Sequence, residues 1–257
     1  MDLGLTGKTA LVIGSTSGLG LAVARALADE GALVSICGRR GDLASTLAGE
    51  IPGATGYECD LAAPGAVEKL AADVARDSGA VDILVLNSGG PAPGPATSLT
   101  TESLQGAMDM LLMRQIELAS HFLPAMRASG WGRILGLGSS GVQQPIPGLA
   151  TSNIARAALA GYLKTLAAEV AADGVTVNML LPGRIDTDRV DSLDKSRAER
   201  EQTDVELVRA RSRASIPVGR YGTPSEFAAV AAFLCSQLAS YVTGEQVRCD
   251  GGLVGAY

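Results

Sequence analysis

The sequence predicts an α/β protein: a doubly wound sheet of about seven parallel strands, folded as a single domain over residues 1–257. Three observations predict it. Runs of Val, Ile and Leu alternate with longer Ala-rich stretches that keep an apolar stripe, the pattern of parallel strands covered on both faces by crossover helices. No shift in composition divides the chain. A glycine-rich turn separates the first apolar run from the first helical one, where an open α/β sheet receives its ligand.

The strands read in order as TALVIG (9–14), ALVSIC (32–37), TGYECD (55–60), DILVLN (82–87), GRILGLG (132–138), VTVNMLLP (175–182) and EQVRCDGG (245–252). Helices are predicted over 19–31, 66–79 and 155–174, each ending at a glycine, the usual left-handed stop. Another helix is read over MDMLLMRQIELASHFLPAM (108–126). From Arg184 to Arg213 about half of the residues are charged, with signs nearly balanced. This reads as a charged, lid-like helical excursion at about 188–214, serving either as a solvated surface or as a cover over a pocket. As a cover its arginines suit an anionic substrate, although the balancing acids weaken that inference.

Bulk properties narrow the function. A hydrophobic content of 47% is ample for a buried core, and 4% aromatic residues leave that core to Ala, Val, Leu and Ile. The net charge of −6 argues against a nucleic-acid partner, whose phosphates need a basic footprint. No segment reaches the length of about 18 uncharged apolar residues expected of a membrane span, and the N-terminus lacks a signal-peptide pattern. Cys37, Cys59, Cys235 and Cys249 are scattered, with no C-x-x-C pair, and the lone His121 completes no metal set. The expectation is a cytoplasmic protein with free thiols, no metal, no membrane and a small-molecule substrate.

The turn itself is IGSTSGLG (13–20). Its Gly14-x-x-x-Gly18-x-Gly20 spacing, between a strand and an amphipathic helix, suits a Rossmann-type pyrophosphate cradle. Glycines let the chain turn sharply and bring backbone N–H groups close to the phosphates. The predicted contact set is Gly14, Ser15, Thr16, Ser17, Gly18, Leu19 and Gly20. The second strand ends in Gly38, Arg39 and Arg40, where an NAD-preferring fold would place an acid. Two guanidinium groups suit a 2′-phosphate, so NADP(H) is preferred over NAD(H). Asp60, beside Leu61, either bonds the adenine amino group or caps the next segment.

Taken with CDL (59–61), LNSGG (86–90), GRILGLGSS (132–140), VTVNMLLPGRIDTDR (175–189), IPVGRYGTPSEFAAVAAFL (216–234) and GEQVRCDGG (244–252), these residues resemble the short-chain dehydrogenase/reductase family over nearly the whole chain. The resemblance implies a dimer or tetramer of identical chains. It implies cofactor contacts from Asn87 and Gly89, and from Pro182, Gly183, Ile185 and Thr187. It also implies a catalytic set of asparagine, serine, tyrosine and lysine. The family's serine lies thirteen residues before its tyrosine, a spacing met by Ser139 and Ser152, with Arg156 at the lysine position and about Leu111 at the asparagine position. A one-residue slip pairs Ser140 with Asn153 and restores no tyrosine. Tyr162 and Lys164 read as packing and surface residues, and Tyr257 as a tail residue of a kind that can approach a neighbouring pocket.

The catalytic candidates are therefore Ser139, Ser152 and Arg156, with Arg156 also on the cofactor. Serine is a far weaker acid than tyrosine, and losing a general acid costs ~10²–10⁴ in rate for ketone reduction. Conjugate reduction of an enone has less need of that acid, because a delocalised enolate can be held by hydrogen bonds and protonated by water. The expected activity is an atypical NADP(H)-dependent reduction of a small, conjugated or carboxylated metabolite. The alternatives are a non-redox cyclase or dehydratase in the same pocket, and a catalytically silent NADP(H)-binding subunit. The loop SGGPAPGPATSL (88–99) is expected to wall the pocket, and Gln143 and Gln144 either meet the substrate or stay exposed.

Overall fold

The computed structural model describes residues 1–255. Tyr257, singled out as a tail residue, lies outside the described residues. Seven parallel strands form one sheet in the order β3-β2-β1-β4-β5-β6-β7, within a single Rossmann-like domain. They are β1 (Thr9–Val12), β2 (Leu33–Gly38), β3 (Thr55–Glu58), β4 (Ile83–Leu86), β5 (Gly132–Leu137), β6 (Val175–Pro182) and β7 (Gln246–Cys249). The chain runs outward from β1 to β3, then returns to pair β4 with the other edge of β1. That reversal opens a crevice at the carboxyl ends of β1 and β4.

The helices are α1 (Gly18–Asp29), α2 (Gly41–Gly49), α3 (Ala66–Ser78), α4 (Thr101–Met108), α5 (Arg114–Ser129), α6 (Ala150–Val170), α7 (Asp188–Glu201), α8 (Val205–Ala214) and α9 (Pro224–Cys235). Strand alternation divides the core between the two faces of the sheet. Leu11 and Ile13 pack with Leu70 of α3, Phe122 of α5 and Leu163 of α6. Ala10 and Val12 pack with Val23 of α1, Leu47 of α2 and Phe227 of α9. Both layers rely on aliphatic and alanine side chains, as the low aromatic content requires.

Two departures from the sequence reading bear on the site. Helix α6 begins at Ala150, five residues before the expected start at 155, because the Ala150 N–H donates to the Gly94 carbonyl (3.1 Å) and Gly94 pairs with Leu149. The helix expected over 108–126 opens with a wide π-helical turn, Asp109–Met113, between α4 and α5. The Gln115 side chain donates to the Met110 carbonyl (3.0 Å) within this turn, and such turns recur at functional sites. The charged excursion is two helices, α7 and α8, folded together. Among the described residues, no helix is long and apolar enough to cross a membrane.

Candidate active site

A cleft of about 1060 Å³ runs along the carboxyl ends of the central strands, at the top of the ~300–1,000 Å³ range usual for ligand sites. The turn after β1 forms one end. Gly14 and Gly18 adopt left-handed φ of 60° and 56°, a conformation that glycine enters without the Cβ clash of other residues. A Cβ at Gly20 would overlap the Gly14 carbonyl oxygen and lie 3.0 Å from Asn87 Nδ2. Asn87 Nδ2 donates to that same carbonyl at 3.2 Å, tying the end of β4 to the turn. The turn into α1 is thereby kept clear of a side chain at Gly14, Gly18 and Gly20, so that its backbone is open to the cleft, which fits a pyrophosphate.

Most of the sequence-derived contact residues line this cleft: Gly14, Thr16, Ser17, Gly18, Leu19 and Gly20, Arg39 and Arg40, Leu61, Asn87 and Gly89, and Pro182, Gly183, Ile185 and Thr187. Two do not, and each has a local reason. The Ser15 hydroxyl donates to the Val12 carbonyl (2.6 Å) and accepts from the Cys37 N–H (3.0 Å), while the Ser15 N–H donates to the Cys37 carbonyl (2.9 Å). Fully buried, Ser15 welds β1 to β2 and has no backbone donor left for a ligand. Asp60 accepts from the Ala62 N–H through one carboxylate oxygen (3.1 Å), a local capping contact.

The two arginines after β2 differ. Arg40 donates to the carbonyl and hydroxyl of Thr16, each at 3.2 Å, which orients it along the turn. Arg39 is exposed at the cleft and has no hydrogen bond or ion pair among the described residues. Gly38, the last residue of β2, has no room for a side chain, since a Cβ would stand 2.9 Å from Thr16. Across the cleft, Thr187 caps α7 by accepting from the Val190 N–H, and its methyl lies 3.9 Å from the Cβ position of Gly18.

At the other end Ser139, Ser152 and Arg156 come together on the cleft wall. Ser139 Oγ accepts from the Gly141 N–H (3.1 Å), which leaves the hydroxyl proton free to donate. The hydroxyl of Ser152, on the first turn of α6, has no hydrogen bond within the described residues. Arg156 Nη1 donates to the Leu137 and Gly138 carbonyls, at 2.8 and 3.1 Å. It therefore braces the strand end that carries Ser139, an anchoring that the sequence did not reveal. Burial, with the nearby Arg189 charge, pulls the guanidinium down to about 10, which leaves it charged at neutral pH.

The slipped pair has a different task. Asn153 is bonded in both directions to the backbone of Ile146, at 3.0 and 3.3 Å, and so pins the loop before α6. Leu111 is 2% exposed and packs with Ala107 and Ala155. Gln144 lines the cleft, whereas Gln143 turns away to Gln246 (3.3 Å). Tyr162 is half-buried against the core and Lys164 donates to the Gly244 carbonyl (2.8 Å). His121 is exposed on α5 beside Phe122. Sequence reasoning missed Arg189 of α7. Its Nη2 donates to the Pro91 carbonyl (2.9 Å), across 98 residues, and its guanidinium lies where a Gly90 Cβ would stand 2.8 Å away.

Comparison with known proteins gives three kinds of match. The model of the family described as enoyl-(acyl carrier protein) reductase matches residues 13–254. Dehydrogenase/reductase SDR family member 4 of Sus scrofa is 35% identical over 255 residues, covering 96% of this chain and 88% of that protein. The 3-oxoacyl-[acyl-carrier-protein] reductase FabG of Aquifex aeolicus is 33% identical over 258 residues, covering 98% and 100%. The structure of L-sorbose reductase from Gluconobacter frateurii, complexed with NADPH and L-sorbose, has a TM-score of 0.92 at 32% identity and covers 100% of both chains.

Proposed function

The chain belongs to the short-chain dehydrogenase/reductase family, and from that premise we propose an NADP(H)-dependent reductase of conjugated enones that works without the family's tyrosine acid. NAD(P)-dependent oxidoreduction of a small metabolite follows from the family. The finer reading rests on one observation: at the cleft end that carries Ser139, the Ser139 and Ser152 hydroxyls donate to no protein acceptor, and among the described residues no phenol lines the cleft. In this reading Ser152 and Arg156 occupy the tyrosine and lysine places, and Leu111 the asparagine place.

The Gly14–Gly20 turn, Asn87, Gly89 and the Pro182–Thr187 segment hold the dinucleotide, and Arg39 and Arg40 face its 2′-phosphate, which favours NADP(H). When bound, the reduced nicotinamide would supply a hydride for the β-carbon of an enone, leaving negative charge to be held at the carbonyl oxygen. Ser139 donates its hydroxyl proton as a hydrogen bond to that oxygen, with the Gly141 N–H fixing Oγ from behind. Ser152 offers a second donor from the opposite element. Preorganised donors of this kind stabilise developing negative charge without having to transfer a proton. Arg156 keeps the Ser139 strand end in place and its charge favours the enolate. The proton that completes the saturated ketone arrives at the α-carbon from water.

Helices α7 and α8 are the lid in this reading, covering the substrate end. The chain is expected to work as a dimer or tetramer, and Phe233, Leu238 and Tyr241 are large apolar side chains exposed on its surface. Light scattering in solution checks the assembly. The function is tested by titrating NADPH through its fluorescence, then following loss of reduced-cofactor absorbance over matched ketones and enones. Enones turned over well ahead of their saturated ketones are the expected result. Equal rates on both would refute the acid-free route. Tight NADPH binding without any turnover would instead assign a silent subunit.

A further inference from the structure

The lid is nearly neutral by count but not by placement. Arg184 pairs with the fully buried Asp194, Lys195 and Arg209 with Asp191, Arg213 with Glu206, and Arg197 and Arg211 with Glu201. Arg189 and Arg200 have no carboxylate partner among the described residues. Both line the cleft, on the same face of α7 but three turns apart, ~16 Å along the axis.

Arg189 is the one aimed at the reacting end. One of its donors holds the Pro91 carbonyl, seated against Gly90 where no side chain intervenes. An arginine carries five donors in a planar fork, so the remaining edge is free for a ligand. Its charge is felt by Arg156, the residue that braces the Ser139 strand end, and burial disfavours both charged guanidinium groups. Two like charges line one cleft in which Asp188 is, among the described residues, the one lining acid without an ion pair, so the site is short of one anion. The planar fork matches a carboxylate bidentately.

We propose that Arg189 is a substrate-binding residue that selects small carboxylate-bearing carbonyl compounds, clamping the carboxylate between α7 and the Gly90–Pro91 loop. The inference rests on the reductase reading above, because it assumes that the carbonyl end of the substrate lies at Ser139. A lid tethered by Arg189 to the loop after β4 would then close most firmly on a charged substrate.

The test uses the NADP⁺-saturated protein, with 4-oxopentanoate and its methyl ester titrated by calorimetry at fixed ionic strength. The acid is expected to bind at least about tenfold more tightly than the ester, as a charge-assisted hydrogen bond implies. Arg189→Gln should remove that preference and leave NADPH affinity unchanged, while Arg200→Gln, three turns away, should keep it. Equal binding of acid and ester, binding of neither, or loss of preference in Arg200→Gln alone would each overturn the proposal while leaving the cofactor site intact. A weakened NADPH affinity in Arg189→Gln would reassign the residue to the cofactor and refute it. Inorganic phosphate competing as well as the acid would show a phosphoryl site, also against it. Failure of the wild-type protein to bind NADPH at all would instead sink the reductase reading beneath it.

Discussion

Gly20→Ala puts the cradle to a quantitative test. The added methyl would fall on the Gly14 carbonyl oxygen, with Asn87 Nδ2 and the Gly14 carbonyl carbon each only 3.0 Å away. None of the three can retreat cheaply: two are backbone, and the third is the donor that ties β4 to the turn. Overpacking of a rigid site costs ~1–3 kcal/mol and the strained Asn87 bond about 1 kcal/mol more, ~2–4 kcal/mol in all. At ~2–4 °C per kcal/mol for a chain of this size, the melting midpoint should drop by ~4–16 °C. The displaced carbonyl would also move the first N–H groups of α1, so NADPH affinity should fall by at least about tenfold. Gly161→Ala supplies the contrast. It lies in the middle of α6 with nothing within 4 Å of its Cβ position, and should stabilise by ~0.5–1 kcal/mol through backbone entropy. Calorimetric melting and a fluorescence titration on the two variants are sufficient. If Gly20→Ala melts like the wild type and binds NADPH as tightly, the close approach at the turn does not shape a phosphate site.

Arg39→Gln should weaken NADPH by ~10–100-fold and leave NADH nearly unaffected, because the free guanidinium has only a 2′-phosphate to answer; a matching loss for both dinucleotides would count against the assignment. Ser152→Tyr combined with Arg156→Lys should raise saturated-ketone reduction by ~10²–10⁴ if only the proton donor is missing, and steady-state rates on ketones check it. Arg156 is held near 10 by burial and by Arg189. Cofactor affinity should therefore hold through neutral pH and decline as pH rises past about 10. Above that value the folded protein releases this proton before the unfolded chain does, so the group's contribution to stability rises with pH there, an effect readable in melting scans. Burial pushes the Cys37 and Cys235 thiols up to about 12, so neutral-pH alkylation of the native protein should reach the half-buried Cys249 first, as peptide mapping would show.

The sequence made legible what repeats locally. Parallel strands covered on two sides must be apolar throughout, so β1, β2, β4, β5 and β6 announced themselves. The glycines at 14, 18 and 20 did the same, since each answers to a backbone constraint within seven residues. What stayed hidden depends on partners far along the chain. Helix α2 (Gly41–Gly49) passed unread because its ends are glycines and its apolar stripe is two turns long. The early start of α6 comes from Gly94, 56 residues before Ala150. Ser15 looked like a phosphate ligand by position, and only the adjacency of β2 explains why all its donors point inward. No periodicity foretells that Arg189 meets Pro91.

Arg156 joins these two kinds of information. By spacing it belongs to the cofactor; by contact it belongs to the sheet, since one nitrogen satisfies the carbonyls of both Leu137 and Gly138. A lysine has three donors around one point charge, whereas arginine spreads five over a fork. Arginine can therefore brace a strand end with one nitrogen and still present a charged edge to the cleft. With the bracing done from below, Ser139 needs only the Gly141 N–H to fix its oxygen, and its proton remains available to the ligand. On the proposed reading, arginine at 156 and serine at 139 form one arrangement, in which fixed donors and fixed charge hold negative oxygen where a tyrosine–lysine pair would deliver a proton.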